Sequence, residues 1–401
     1  MTVTNRADHA PATQHATGDV SPDSGHKDQS PMTSDATPAR PRWIFLAGLA
    51  VAAVLVFIVA PLVLPPFRLN LLAKFFCYAM VATGIGLAWG RGGMLTLGQG
   101  VYFGIGAYAM AMFLKLSDTA DQGAEVPEFM TLAGRDALPG YWEPFANPVF
   151  TVAVILVLPP LAAFGFGYLV FHRKVKGAYF AILSQALAAA AAIFLVSQAT
   201  LGGSNGLNQF RGFFGYVIYD PANRVALYML TGAALIGCVL LVRQLMYSRF
   251  GELLVAVRDQ EERVRFLGYD PALIKATAYA VAALTASVGG ALFVPVVGII
   301  SPSSIGIAPS IAFLIGVAIG GRTTLLGPVL GAIGVAWAQT TFSEAYPSQW
   351  TYLQGLLFIV VVGFLPGGLA SLLIARRRRA RAADAGSAGD TAITSAKETS
   401  S

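Results

Sequence analysis

The chain has 401 residues, 55% of them hydrophobic and only 12% charged. Soluble domains carry roughly 25% charged residues, so this composition excludes a soluble globular protein and predicts a chain that crosses a membrane many times. The net charge of +6 implies no nucleic-acid partner, because the basic residues fall in short loops and in the run Arg376 to Arg379, as membrane orientation requires.

Residues 1–40 are rich in Ser, Thr, Asp, Pro and Ala and predict a disordered cytoplasmic tail. They lack the basic start and apolar core of a secretory signal. A transmembrane domain follows over 41–375. Its first span, Trp43 to Leu64, is about 20 residues long and follows Arg40 and Arg42, which favour a cytoplasmic N-terminus. The second, Leu69 to Trp89, returns the chain inward and carries Lys74 near its outer end, where a lysine can snorkel to the interface.

The third apolar segment, Gly90 to Leu114, is dense in glycine. Gly100 and Gly104 form a GxxxG pair, flanked by Gly98 and Gly106, and close helix packing is the commoner meaning of such a surface. The alternative is a broken helix that lines a pathway with Gln99 turned toward it. Lys115 to Asn147 is a polar, acid-rich loop that belongs outside.

Spans from Pro148 to Phe171 and from Ala178 to Ala199 flank a short turn whose cations, Arg173, Lys174 and Lys176, place it inside. Gly202 to Phe210 is a run of turn formers that excludes a membrane helix there. A span from Val225 to Met246 leads to 248–275, where ten charged residues stand together between apolar segments. Leu253, Leu254, Val257, Val264 and Leu267 recur there at helical spacing, which predicts a short amphipathic helix from Gly251 to Leu267. Gly268 suits a positive φ after that helix, and Pro271 prevents its continuation. An ordinary solvated loop and a docking helix for a soluble partner are both compatible with this pattern.

Leu273 to Phe293 exits again. Ile311 to Gly320 is short for a crossing, so either residues near Pro302 extend it or it is re-entrant. Leu325 to Thr341 and Trp350 to Ile374 complete an all-α, polytopic helical bundle of about ten membrane segments with both ends cytoplasmic. The tail 376–401 is basic, then disordered. One faint internal similarity sets Gly90, Arg91, Met94, Leu95 and Gly98 against Gly321, Arg322, Leu325, Leu326 and Gly327; glycine is so common here that chance explains it best.

Enzyme chemistry finds no support. His9, His15 and His26 lie in the tail and His172 in a basic turn, so no histidine cluster exists for a metal or a hydrolytic base. No catalytic residue, metal site or cofactor is assigned to this chain. Cys77 and Cys238 fall inside spans and are read as packing residues. Charged residues within the spans are few, Lys74 among them, and no phosphate-loop motif is present, so active transport would need a partner that hydrolyses ATP.

The runs WGRGGMLTLGQGVYFGIGAYA from Trp89, KGAYFAILSQAL from Lys176, LGGSNGL from Leu201, RDQEERVRFLGYDPALIK from Arg258 and VAIGGRTTLLGPVLGA from Val317 resemble the permease subunits of bacterial ABC importers for branched-chain amino acids and urea. The likeness extends from about Leu69 to Leu373. It implies a multi-pass inner-membrane subunit, embedded in lipid, with a second homologous permease, two cytoplasmic ATPase subunits that hold ATP and Mg, and a periplasmic solute-binding protein. It also makes 248–275 the coupling loop, with Glu252, Arg258, Glu261, Glu262, Arg263, Arg265 and Gly268 as its candidate residues. The importer pattern of Glu-Ala-Ala followed by glycine is only partly met, since Arg263 and Val264 replace the alanines after Glu262.

Gln99, Ser184, Gln185, Asn205 and Gln339 are the candidate pathway residues, all uncharged. LPGYWEPF from Leu138, RVRFLGYDP from Arg263 and EAYPSQW from Glu344 resemble the urea branch, so the expected cargo is urea, with related short amides. A branched-chain amino acid permease and a stand-alone channel for small polar solutes are the alternatives.

Overall fold

The structure is a computed structural model, and it describes residues 42–132, 134–135, 137–175, 177–322, 324–345, 349, 352–353, 355–356 and 359–360. The expected tails (1–40 and 376–401), the cluster Arg376 to Arg379 and most of the last expected span lie outside the described residues. The chain divides into two units at Gly48, and the description below concerns the second.

The described part is almost wholly helical. In chain order it comprises α1 (Arg42–Val54), a π-helical stretch Leu55–Val59, α2 (Ala60–Val63), α3 (Pro66–Ile85), a second π-helical stretch Gly86–Arg91, α4 (Gln99–Asp121) and α5 (Glu128–Leu132). There follow α6 (Pro148–His172), α7 (Ala178–Ser197), α8 (Pro221–Met246), α9 (Arg249–Phe266), α10 (Pro271–Val297), α11 (Ile307–Gly320) and α12 (Gly327–Ala345).

Four two-residue strands complete it: β1 (Leu207–Asn208), β2 (Gly212–Phe213), β3 (Tyr216–Val217) and β4 (Ile299–Ile300). β1 pairs antiparallel with β4, so the turn-rich run after α7 is fastened to the end of α10. β2 pairs antiparallel with β3.

Local chemistry sets several helix starts. Asn147, Asp220 and Asp270 each precede a proline and accept a hydrogen bond from the amide two residues on, at 2.9, 3.3 and 2.9 Å. A side-chain acceptor at the cap and a proline in the first turn satisfy the free amides and pre-set φ, so α6, α8 and α10 begin sharply.

Seven helical segments among the described residues are long and apolar enough to cross a bilayer, including Pro302–Gly320, where a 3-10 turn at Pro302 lengthens α11. The expected first span appears as the shorter apolar run Ala47–Val63. The expected polar loop after Leu114 starts later than its composition suggests, because α4 continues through Asp121. Asp118 is buried there and accepts from the amides of Arg211 and Gly212 at 2.9 and 2.8 Å, which stabilises the extra turns.

The centre is built from α3, α4 and α10, with α6 packed on α10. Glycines permit these approaches. A Cβ at Gly106 would meet the Ser287 carbonyl, one at Gly290 the Phe103 carbonyl, and one at Gly100 the Ile305 carbonyl and Ser310. At Gly104 it would meet the Ile305 side chain. Gly100 and Gly104 thus stand where neighbouring segments approach α4 closely. Ser287 Oγ also donates to the Ile155 carbonyl at 2.8 Å and ties α10 to α6.

The two glycine-arginine turns of the faint internal similarity lie side by side. A Cβ at Gly90 would strike the Arg322 carbonyl, and the Arg322 guanidinium stands 5.0 Å from the centre of the Trp89 ring. Both turns follow one helix and lead into another.

Candidate functional site

The charged stretch forms α9, within two residues of its expected bounds. Leu254, Val257 and Val264 are buried, while Glu252, Glu262 and Arg263 are exposed, as an amphipathic helix requires. Gly251 lets the helix leave α8, because a Cβ there would meet the Met246 carbonyl. Gly268 adopts φ +87° with open space around it, so its requirement is conformational rather than steric. Around that turn Phe266, Leu267 and Tyr269 are 89%, 75% and 50% exposed. The result is an apolar tip beside a row of charges.

Sequence periodicity did not reveal that α9 is two helical pieces. Gln260 has φ −147° and ψ 73°, outside the helical region, and divides the element. Each piece has its own anchor. Before the break, Arg258 Nη1 donates to the Gly90 carbonyl at 2.9 Å, at the end of the π-helical continuation of α3. Its Nε also holds Asp259 at 2.7 Å, and this hydrogen bond keeps the exposed Asp259 carboxyl below the usual carboxylate range.

After the break, Lys275 at the start of α10 pairs with Glu261 at 2.7 Å, both side chains being less than 15% exposed. Arg265 adds contacts to Glu261 and Glu262 at 3.4 and 3.5 Å. Lys275 also sits 5.8 Å from the centre of the Phe171 ring. Charges this poorly solvated hold position because losing one partner leaves the other desolvated. A charged surface element is therefore joined to α3 through one residue and to α10 through another.

The candidate pathway residues separate into three places. Gln99 opens α4 and is 1% exposed, and neither atom of its amide has a hydrogen-bond partner among the described residues. Ser184 lies nearby but is committed to structure, accepting from the Leu97 amide at 3.1 Å and donating to the Ala181 carbonyl at 2.9 Å. Gln185, next on α7, is half-buried. Asn205 is exposed in the 3-10 turn Gly203–Asn205. Gln339 lies apart from all of these, in a groove between α3 and α12 that Tyr78 also lines.

Sequence reasoning missed the hydroxyls grouped with Gln99. Thr96, Tyr102 and Tyr279 are buried around the start of α4, and the Tyr102 and Tyr279 rings meet edge to face at 5.5 Å. Their positions on two distant helices left no local pattern to read.

Comparison with known proteins places the chain. The high-affinity branched-chain amino acid transport system permease protein LivM of Salmonella typhimurium is 26% identical over 318 residues, an alignment covering 73% of this chain and 67% of the relative. The protein of the same name from Escherichia coli matches with the same identity and coverage. No solved structure gives a significant match. The profile of the family described as branched-chain amino acid transport system, permease component, matches residues 67–365, and the chain belongs to that family of membrane transport subunits.

Proposed function

We propose that this chain is the membrane-spanning permease subunit of an ATP-driven importer that carries urea, and related short amides, into the cytoplasm. One observation carries the transport mechanism: α9 exposes charges and an apolar tip, yet is anchored to α3 by Arg258 and to α10 by Lys275. A partner that grips this surface gains mechanical access to two central helices. The chain has no phosphate loop, so ATP and Mg belong to that partner.

The assembly in this reading has a second homologous permease, two cytoplasmic ATPase subunits and a periplasmic solute-binding protein, in a bacterial inner membrane. The helix ends that carry Arg91, Arg173, Lys174, Arg258 and Arg322 face the cytoplasm, and those that carry Asp118, Asp121 and Glu128 face outward. Cysteines introduced at Asp121 and Glu261 should then label from opposite sides of the membrane. Labelling of both from outside would end this orientation.

Urea is supported by the three sequence runs that resemble the urea branch and by the uncharged candidate groups Gln99 and Gln339. The second reading, a branched-chain amino acid cargo, is favoured by the names of both curated relatives. Uptake of radiolabelled urea and leucine at micromolar concentration, in cells with and without this chain, separates them. Loss of urea uptake alone supports the first reading, and loss of leucine uptake alone establishes the second. Copurification with ATPase subunits distinguishes both from a stand-alone channel.

A further inference from the structure

Lys74 lies eight residues into α3, about 12 Å along the helix from Pro66. Two adjoining cavities of about 240 Å³ each share Tyr78 and Gln339. One continues toward Ser303, and the other toward Lys74, Thr340 and Ser343. Each is smaller than the roughly 300–1,000 Å³ of sites for drug-sized ligands and suits a solute of a few heavy atoms.

Six polar groups from α3, α12 and the turn before α11 thus converge on one face. Hydrocarbon tails are a costly environment for them, since a charged side chain in the bilayer interior costs about 2.5 kcal/mol or more and the neighbouring polar groups add to that. The face therefore meets water or another polypeptide. Lys74 makes no ion pair or hydrogen bond among the described residues. Its ammonium lies 6.0 Å from the centre of the Tyr78 ring, which leans back along the helix toward it. Three strong donors stand at the rim of a small cavity whose opposite wall carries an amide.

We infer that Lys74 and Gln339 form a cargo site in the outer half of the transport path, for a small solute that presents a carbonyl or carboxylate oxygen beside N–H groups. The ammonium of Lys74 donates to the oxygen, and the Gln339 side-chain carbonyl accepts from the solute nitrogen. This rests on the importer reading above. The oxygen belongs either to urea, where it is neutral, or to an amino acid, where it is anionic, and the two make different demands on residue 74. A neutral carbonyl needs only a donor, whereas a carboxylate needs the charge as well.

The test uses the whole transporter in its host membrane, with Lys74→Met, Lys74→Gln and Gln339→Leu quantified for membrane abundance before uptake is measured. Lys74→Met should raise KM by about tenfold or more, the loss expected for a hydrogen bond to a charged group, with a smaller change in the maximal rate. Rescue by Lys74→Gln identifies a neutral carbonyl, and a defect as large as that of Lys74→Met identifies a carboxylate. Wild-type KM and rate in both Lys74→Met and Gln339→Leu would overturn the site.

If Lys74→Met does not insert, Gln339→Cys supplies the reading, since the native Cys77 and Cys238 are buried and unreactive. Saturating cargo should slow its alkylation by N-ethylmaleimide, and an unchanged rate would overturn the proposal. Should deleting the chain leave uptake of both urea and leucine intact, the importer reading itself falls, an outcome distinct from all of these.

Discussion

α3 and α6 are both long enough to cross a membrane, yet 78% of the best span within α3 and its π-helical continuation is buried in the protein, against 22% of that in α6. The same contrast separates α4 from α7. The more buried pair is the less apolar one: α4 is built around Gly100, Gly104 and Gly106, whereas α6 is a nearly unbroken apolar run and α7 an apolar run rich in alanine. Lipid is as good a solvent for leucine as a protein interior is, so apolarity marks the rim of this molecule. Small residues and stray polar groups mark its centre.

Two glycine substitutions test that contrast directly, and the difference between them should be the largest effect. Gly106→Leu drives a side chain into the Ser287 backbone, which cannot yield as a flexible side chain would. It should cost more than about 3 kcal/mol and remove most inserted, detergent-stable protein. Gly165→Leu on α6 meets nothing within 4 Å and should change the thermal midpoint by less than the equivalent of about 1 kcal/mol. Equal losses at both positions would break the comparison.

A buried charge at the edge of the centre comes next. Lys275→Met removes the 2.7 Å contact to Glu261, both side chains being largely buried, and should cost about 3 kcal/mol in detergent unfolding. Adding Glu261→Gln should recover part of that loss, and a double variant no more stable than the single one would show that the pair is not the source. At the exposed tip the effect is smaller than at the buried pair. Gly268→Val imposes a side chain on φ +87° and should cost roughly 1–2 kcal/mol. The spans should still insert while ATPase association or cargo-stimulated hydrolysis declines; normal values for both would detach this turn from coupling.

Features governed by adjacent residues were legible in the sequence. The apolar runs of α6, α7 and α8, the amphipathic α9, the glycine at positive φ and the GxxxG packing face all follow from neighbours within one or two helical turns. The extension of α4 through Asp118 was hidden because its stabilising partners are the amides of Arg211 and Gly212. The candidate pathway list grouped residues by polarity alone. Tertiary structure sends Ser184 to a structural hydrogen bond, leaves Gln99 enclosed, and sets Gln339 beside Lys74, which the sequence marked only as a snorkelling lysine. A polar residue's purpose depends on what faces it, and that partner lies on another helix.

The break at Gln260 makes α9 a lever with an elbow. Its first arm is bolted to α3 at Gly90, and its second to α10 at Lys275. Two dihedral angles suffice to change the angle between the arms without unwinding either one. The tip at Phe266 and Leu267 belongs to the arm held by α10, and the elbow separates it from the arm held at Gly90. Stiffening the elbow would move both helices as one, whereas loosening it would let α10 travel alone.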